Sequence, residues 1–324
     1  MNDHPTVHIK QKAIDRVSDA VLKSLERCTL CPRRCASNRM RGRRGYCRAP
    51  FKPMVYSFAP HHGEEPVLSG KKGSGTIFFS NCTMQCVYCQ NYIFSQLDAG
   101  EEVSIEELSR MMLDLEARGC HNINLVSPTQ YVPQIILATG LAVGKGLTIP
   151  LVYNTGGYEL VETLKLLEGI IDIYLPDMRY SESAMAEKYS DAPDYVRYNR
   201  DAVHEMHRQA GDLTLDGSGL AVQGLLVRLL VLPRNISGTV ESLRFIASEV
   251  STHTFISLMS QYHPTYKANH FAELSRGITP KEYDDTVAEA KRLGLHNGWI
   301  QEGPIELNER FFGPHIEPQR PIGE

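Results

Sequence analysis

The 324-residue chain lacks a strong excess of either charge: 34 Lys and Arg stand against 38 Asp and Glu, a formal net charge of −4. That near balance removes any global bias toward nucleic acid. It also lacks an apolar run long enough to span a bilayer, since the best candidate, GLLVRLLVLP, is short and broken by Arg228. The opening MNDHPTVHIKQKAIDRV has no apolar core of a signal peptide. A cytoplasmic protein with no membrane partner is therefore expected. No internal repeat and no low-complexity segment is present, which leaves no signature of a repeat array. The length is too great for a small module and allows one large α/β barrel or two to three domains.

What the chain does have is clustered cysteine. Seven of its eight cysteines fall into two tight groups with metal-ligand spacing, which favours metal over disulfides. The eighth, Cys120, reads as a buried inert thiol. Cys82, Cys86 and Cys89 form Cys-x3-Cys-x2-Cys directly behind the short strand Thr76 to Ser80. Three thiolates can hold three irons of a 4Fe-4S cluster and leave the fourth iron open for a substrate or cofactor. A structural zinc site would ask for four ligands.

In this spacing, with Tyr88 just before the last cysteine, the sequence resembles the radical S-adenosylmethionine (SAM) superfamily. The resemblance implies that Cys82, Cys86 and Cys89 ligate a 4Fe-4S cluster whose open iron chelates SAM, and that Tyr88 lies beside the adenine. It further implies one-electron cleavage of SAM to a 5′-deoxyadenosyl radical that abstracts hydrogen from a substrate, with the cofactor carrying the hard step.

Cys28, Cys31, Cys35 and Cys47 form Cys-x2-Cys-x3-Cys-x11-Cys. Four thiolates can close a coordination shell, so zinc and a second 4Fe-4S cluster both satisfy this auxiliary site. The grouping of three with a distant fourth, and Pro32 beside Cys31, tilts toward iron. So do eight arginines in the same segment (Arg27, Arg33, Arg34, Arg39, Arg41, Arg43, Arg44 and Arg48), which can offset cluster charge. Direct nucleic-acid contact is not expected there, because only Tyr46 and Phe51 are near enough to stack on bases.

An amphipathic run from Asp15 to Glu26 predicts a helix leading into the first cysteines. A Pro- and Gly-rich connector follows, with a boundary near residue 70. From Thr76 onward six short apolar strands (TIFFS, NINLV, IPLVY, IIDIYL, LLVRLLVL and TFISLM) alternate with helices, which predicts a parallel sheet with helices outside and its site at the carboxyl ends of the strands. The family resemblance makes this a partial (β/α)6 TIM-like barrel. The expected organisation is an auxiliary metal segment with connector at 1–70, the barrel at 71–275 and an extension at 276–324. The extension has one good helix, capped at Thr279, and then a tail that closes over the barrel or frays.

Polar residues at the strand ends are the cofactor candidates. After the second strand Thr129 and Gln130 stand where related enzymes carry Gly-Gly-Glu, and would supply oxygen acceptors in place of that carboxylate. After the third come Asn154 and two glycines that allow close backbone approach to a ligand. After the fourth come Asp177, an acceptor for a ribose hydroxyl or the amino group, and Arg179, a fork for the carboxylate, with an internal salt bridge as the other reading. Arg228, inside an apolar strand, asks for a cofactor or substrate anion as its partner. His263 follows the sixth strand, whereas His61 and His62 read as solvent or lid residues.

Together CTLCPRRC, GYC, the Cys-Gln-Asn of Cys89 to Asn91, LVSPTQY, IYLPDMRY and SLMSQYHP resemble radical SAM proteins grouped with pyruvate formate-lyase activating enzyme. That likeness implies an oxidoreductase that removes hydrogen from a glycine of a partner enzyme, with a reductant such as flavodoxin or ferredoxin. A peptide or RNA substrate is the alternative within the same chemistry. An electron-transfer or zinc-dependent interaction protein is the alternative outside it.

Overall fold

The computed structural model describes residues 5–301 and 319–322. Eleven strands occur among them: β1 (Met54–His61), β2 (Ser74–Phe79), β3 (Glu101–Glu102), β4 (Ile123–Val126), β5 (Leu151–Thr155), β6 (Ile173–Pro176), β7 (Thr214–Leu215), β8 (Ala221–Leu230), β9 (Phe255–Met259), β10 (Gly298–Gln301) and β11 (Gln319–Pro321). They share one sheet in the order β11-β10-β9-β8-β6-β5-β4-β2-β1-β3, with β7 beside β8. From β2 to β10 every neighbour along this order is parallel. Helices make the crossovers, and the result is an open partial barrel.

The six expected strands are all present. The sheet carries a seventh parallel strand, β10, within the stretch read as extension, and its pairing with β9 puts Ile300 opposite Leu258. The connector likewise contributes β1, antiparallel to β2. The rest of the tail, beyond Gln301, lies mostly outside the described residues. The predicted Asp15–Glu26 helix is divided: a helix at Pro5–Asp15 is followed by short turns at Ser18–Val21 and Leu22–Leu25. Ser104 and Thr279 each close a capping box, with Glu107 and Glu282 respectively, so these two helix starts are fixed by side chains three residues apart.

Alternation along the strands sorts side chains into two environments. Leu125, Tyr153, Tyr174, Val227 and Leu258 face the outer helices and join the main core. Val152, Ile173, Leu226 and Trp299 face the lumen, where the turn Pro66–Ser69 seats Val67 and Leu68 among them as a floor. Each such side chain, fully buried, contributes about 1.5–3 kcal/mol. Above that floor the lumen turns polar and opens toward the carboxyl ends of the strands. His61 pairs with Ser74, the first residue of β2, so it lies at the opposite end and is no lid over that opening.

Candidate metal and cofactor site

The cysteine motif follows β2 at the carboxyl end of the barrel. Asn81 takes a left-handed turn (φ 73°), its side-chain oxygen accepts from Tyr131 Oη at 2.9 Å, and its carbonyl accepts from Gln130 Nε2 at 3.1 Å. The loop is stitched across the mouth by Gln85 N–H to Ser190 O (2.9 Å), Val87 N–H to Tyr189 O (2.8 Å) and Lys267 N–H to Val87 O (2.8 Å). Each of its three sulfurs meets a hydrogen-bonding group: Met84 N–H at 3.4 Å from Cys82, Ser190 Oγ at 3.0 Å from Cys86 and Ser95 Oγ at 3.2 Å from Cys89, which the Asn91 N–H also reaches.

The thiols feel one another. Burial, and then Cys86, push Cys82 up to about 12, against the pull of the Arg179 guanidinium. Burial and Cys86 likewise push Cys89 up to about 11, opposed by the Ser95 hydrogen bond and Arg179. Three crowded sulfurs can all ionise only if a cation shares their charge, which is what metal ligation supplies. Among the described residues no three His, Cys, Asp or Glu side chains close on a single metal ion. What speaks for ligation is thus the mutual interaction of the thiols and the donors aimed at them. These residues suit a cluster of several metal atoms bridged by sulfide.

The cofactor candidates divide. Tyr88 is buried, with its ring edge-on to Tyr180 and Tyr262. Gln90 Nε2 donates to Gln261 O at 3.2 Å, so the segment carrying His263 is brought against the motif. Asp177, Asn154, Arg179 and Arg228 converge: Arg228 Nε donates to Asp177 Oδ1 at 3.0 Å and Nη2 to Asn154 Oδ1 at 3.0 Å, while Arg179 Nη2 reaches the other Asp177 oxygen. Arg228 Nη1 also donates to Glu64 Oε2 at 3.3 Å. The anion expected beside Arg228 is therefore supplied by the protein, from Asp177 and Glu64, and the salt-bridge reading of Asp177 and Arg179 is the one seen.

Thr129 and Gln130, expected as oxygen acceptors for the cofactor, make contacts within the protein. Thr129 turns away from the lumen, because its hydroxyl donates to the buried Glu159. Gln130 Nε2 donates to the backbone carbonyls of Ser80, Asn81 and Ser127, and the backbone carbonyl of Gln130 accepts from Arg39. Gly157 admits protein and not a ligand: at φ +75° an added Cβ would sit 2.1 Å from Asn199 Nδ2 and 2.4 Å from Asp177 O.

Glu64, Glu65 and Glu159 are carboxylates that sequence reasoning missed. Glu64 and Glu65 enter the lumen from the connector, both pushed up by burial and drawn back by Arg228. Glu159 receives the hydroxyls of Thr129, Thr155 and Tyr153, yet burial dominates and pushes it up to about 7. The folded state thus keeps a proton that the unfolded chain, near 4.5, gives up. The stability this contributes is complete below about pH 4.5 and is lost as pH rises through 7, at most about 3 kcal/mol for a difference of this size. Glu159→Gln is expected to flatten that part of the stability profile between pH 5 and pH 8, read by urea unfolding. A profile as steep as that of the unaltered chain would contradict the assignment.

The amino-terminal cysteines sit beside this mouth. Cys31 is pushed up by burial and then by Cys47, with Cys28 adding to it, and Cys47 feels Cys28 and Cys35, so the four form one group. Burial raises Cys35, but hydrogen bonds from the Ser37 hydroxyl and from backbone N–H groups outweigh it and hold that thiol below its ordinary value. Gly45 leaves the space this needs, since an added Cβ would lie 2.3 Å from Cys35 Sγ. Five of the eight arginines are occupied by protein. Arg33 stacks on Tyr46 (3.6 Å) and donates to Thr83 O inside the second motif, Arg39 and Arg48 bond backbone carbonyls, and Arg34 and Arg44 pair with Glu162 and Glu102.

No protein-family model matches the chain. An uncharacterized protein of Methanocaldococcus jannaschii is 28% identical over 298 residues, covering 89% of this chain and 81% of that protein. Among solved structures, HydG, a maturase of the FeFe-hydrogenase, superposes with a TM-score of 0.46 at 15% identity over 68% of this chain and 48% of its own. SuiB of Streptococcus suis bound to S-adenosylmethionine gives 0.47 at 8% identity over 69% and 49%, and methylornithine synthase 0.46 at 15% over 68% and 60%. The chain spans about half the length of the first two structures.

Proposed function

We propose that the chain is a radical SAM enzyme in which Cys82, Cys86 and Cys89 hold a 4Fe-4S cluster. One observation carries the reading: three interacting thiols, each met by its own hydrogen-bonding group, at the carboxyl-end mouth of a parallel partial barrel. When bound there, the cluster and SAM supply one-electron cleavage of the sulfonium and removal of hydrogen from a substrate. The residues of the chain do the rest. Arg179 sets positive charge near Cys82 and Cys89, Tyr88 packs against Tyr180 and Tyr262 behind the motif, and the paired Asp177, Arg228 and Asn154 form a polar base at the strand ends. The second cysteine group supports a second 4Fe-4S cluster, with zinc as its competitor. For the substrate we propose a glycine Cα of a partner enzyme, a reading supported by the sequence motifs alone.

Reconstitution without oxygen tests this. About eight irons per chain and SAM-dependent 5′-deoxyadenosine under strong reductant are expected. About four irons with one zinc would revise only the auxiliary site. No deoxyadenosine from an iron-replete protein would overturn the enzyme reading.

A further inference from the structure

Cys86 is served by more than one hydroxyl. Tyr88 Oη donates to Tyr180 Oη at 2.7 Å, Tyr180 Oη lies 2.6 Å from Ser190 Oγ, and Ser190 Oγ donates to Cys86 Sγ at 3.0 Å. Each hydroxyl has one proton, so once Tyr88 donates to Tyr180 and Ser190 to the sulfur, the proton between Tyr180 and Ser190 belongs to Tyr180. The bonds then all run in one direction and end on sulfur. Tyr88, Tyr180, Ser190 and Cys86 are 3%, 1%, 0% and 6% exposed, so water does not readily replace any of them. In such surroundings each bond strengthens the next by about 10–30%. The geometry is held from both ends: Tyr180 is wedged edge-on between Tyr88 (6.5 Å) and Tyr195 (5.7 Å), and Ser190 closes its own helix while its carbonyl anchors Gln85 of the motif. Ser95, facing Cys89, accepts from Gln96 Nε2 at 3.3 Å and has no tyrosine behind it among these bonds.

We propose that Tyr88, Tyr180 and Ser190 form a hydroxyl relay that sets the reduction potential of a cluster held by Cys86. The inference rests on the functional reading above. A hydrogen bond to a ligand sulfur withdraws charge from it and favours the more negative, reduced cluster, so the relay raises the potential. Ser190 and Tyr180 are positioning residues in this scheme.

The test is a redox titration of reconstituted protein followed by electron paramagnetic resonance, tracking the cluster signal that changes when SAM is added. At the midpoint of the unaltered protein, Ser190→Ala is expected to cut the reduced-to-oxidised ratio by about threefold to tenfold, tenfold being about 59 mV for one electron. Tyr180→Phe should move the midpoint the same way by less, Ser190→Thr should restore it, and adding Tyr180→Phe to Ser190→Ala should change nothing further. If Ser190→Ala loses iron, Tyr180→Phe alone decides. Unchanged midpoints in variants that keep their cluster would overturn the relay and leave the enzyme reading standing. Absence of any SAM-responsive cluster in the unaltered protein would overturn both.

Discussion

Cys86→Ala protein, reconstituted without oxygen, is expected to carry about half the iron of the unaltered chain and to release no 5′-deoxyadenosine. The two cysteine groups occupy separate seats. Cys86 meets Ser190 and the loop that follows β2, whereas Cys28, Cys31, Cys35 and Cys47 influence one another and are enclosed by their own turns. Losing one of three ligands leaves a cubane with two protein anchors, too few to hold it against chelation, while four thiols elsewhere keep theirs. The two groups touch through Arg33 and Thr83 O but share no cysteine. Iron analysis together with product chromatography checks both halves. Loss of nearly all iron would show that the sites are interdependent, and deoxyadenosine from the iron-depleted variant would remove Cys86 from the chemistry.

Arg228→Met should cost about 3–5 kcal/mol of stability, the usual consequence of breaking a buried pair by taking one partner away. Arg228 serves Asp177, Glu64 and Asn154 at once, and its removal leaves Glu64 and Glu65 without a cation while Asp177 keeps only Arg179. Burial pushes Glu64 and Glu65 to protonate, so the loss should shrink at pH 5.5 relative to pH 8, as measured by urea midpoints. Lysine restores the charge but not the three-way fork, so Arg228→Lys should recover only part of the loss. A methionine variant as stable as its parent at both pH values would mean that the network is solvated and contributes little.

Much of the fold was readable because its strands are short β-branched or aromatic runs between helical periods. The two capping boxes announce themselves at fixed spacing, as do the cysteine sets. What was hidden obeys longer-range rules. GWIQ is four residues behind a glycine, with no flanking pattern to mark it as a strand, and it becomes one only because β9 offers an edge. Glu64 and Glu65 sit in a connector whose prolines and glycines describe a turn but not the lumen it enters. Thr129 was placed at the right strand end, yet its direction was decided by Glu159, thirty residues away in sequence. Tyr180 and Ser190 carry no signal beyond their residue type, since a chain of hydroxyls exists only after two loops and a helix end have met.

The docking of the first cysteine group has a consequence for how the protein is made. Arg33 is seated on Thr83, Arg39 on Gln130, and Thr163 Oγ1 donates to Leu30 O at 2.8 Å. Residues 28–47 are synthesised before every one of those holding points. The early segment must therefore wait for its holding points until Thr163, past the third parallel strand, has been made.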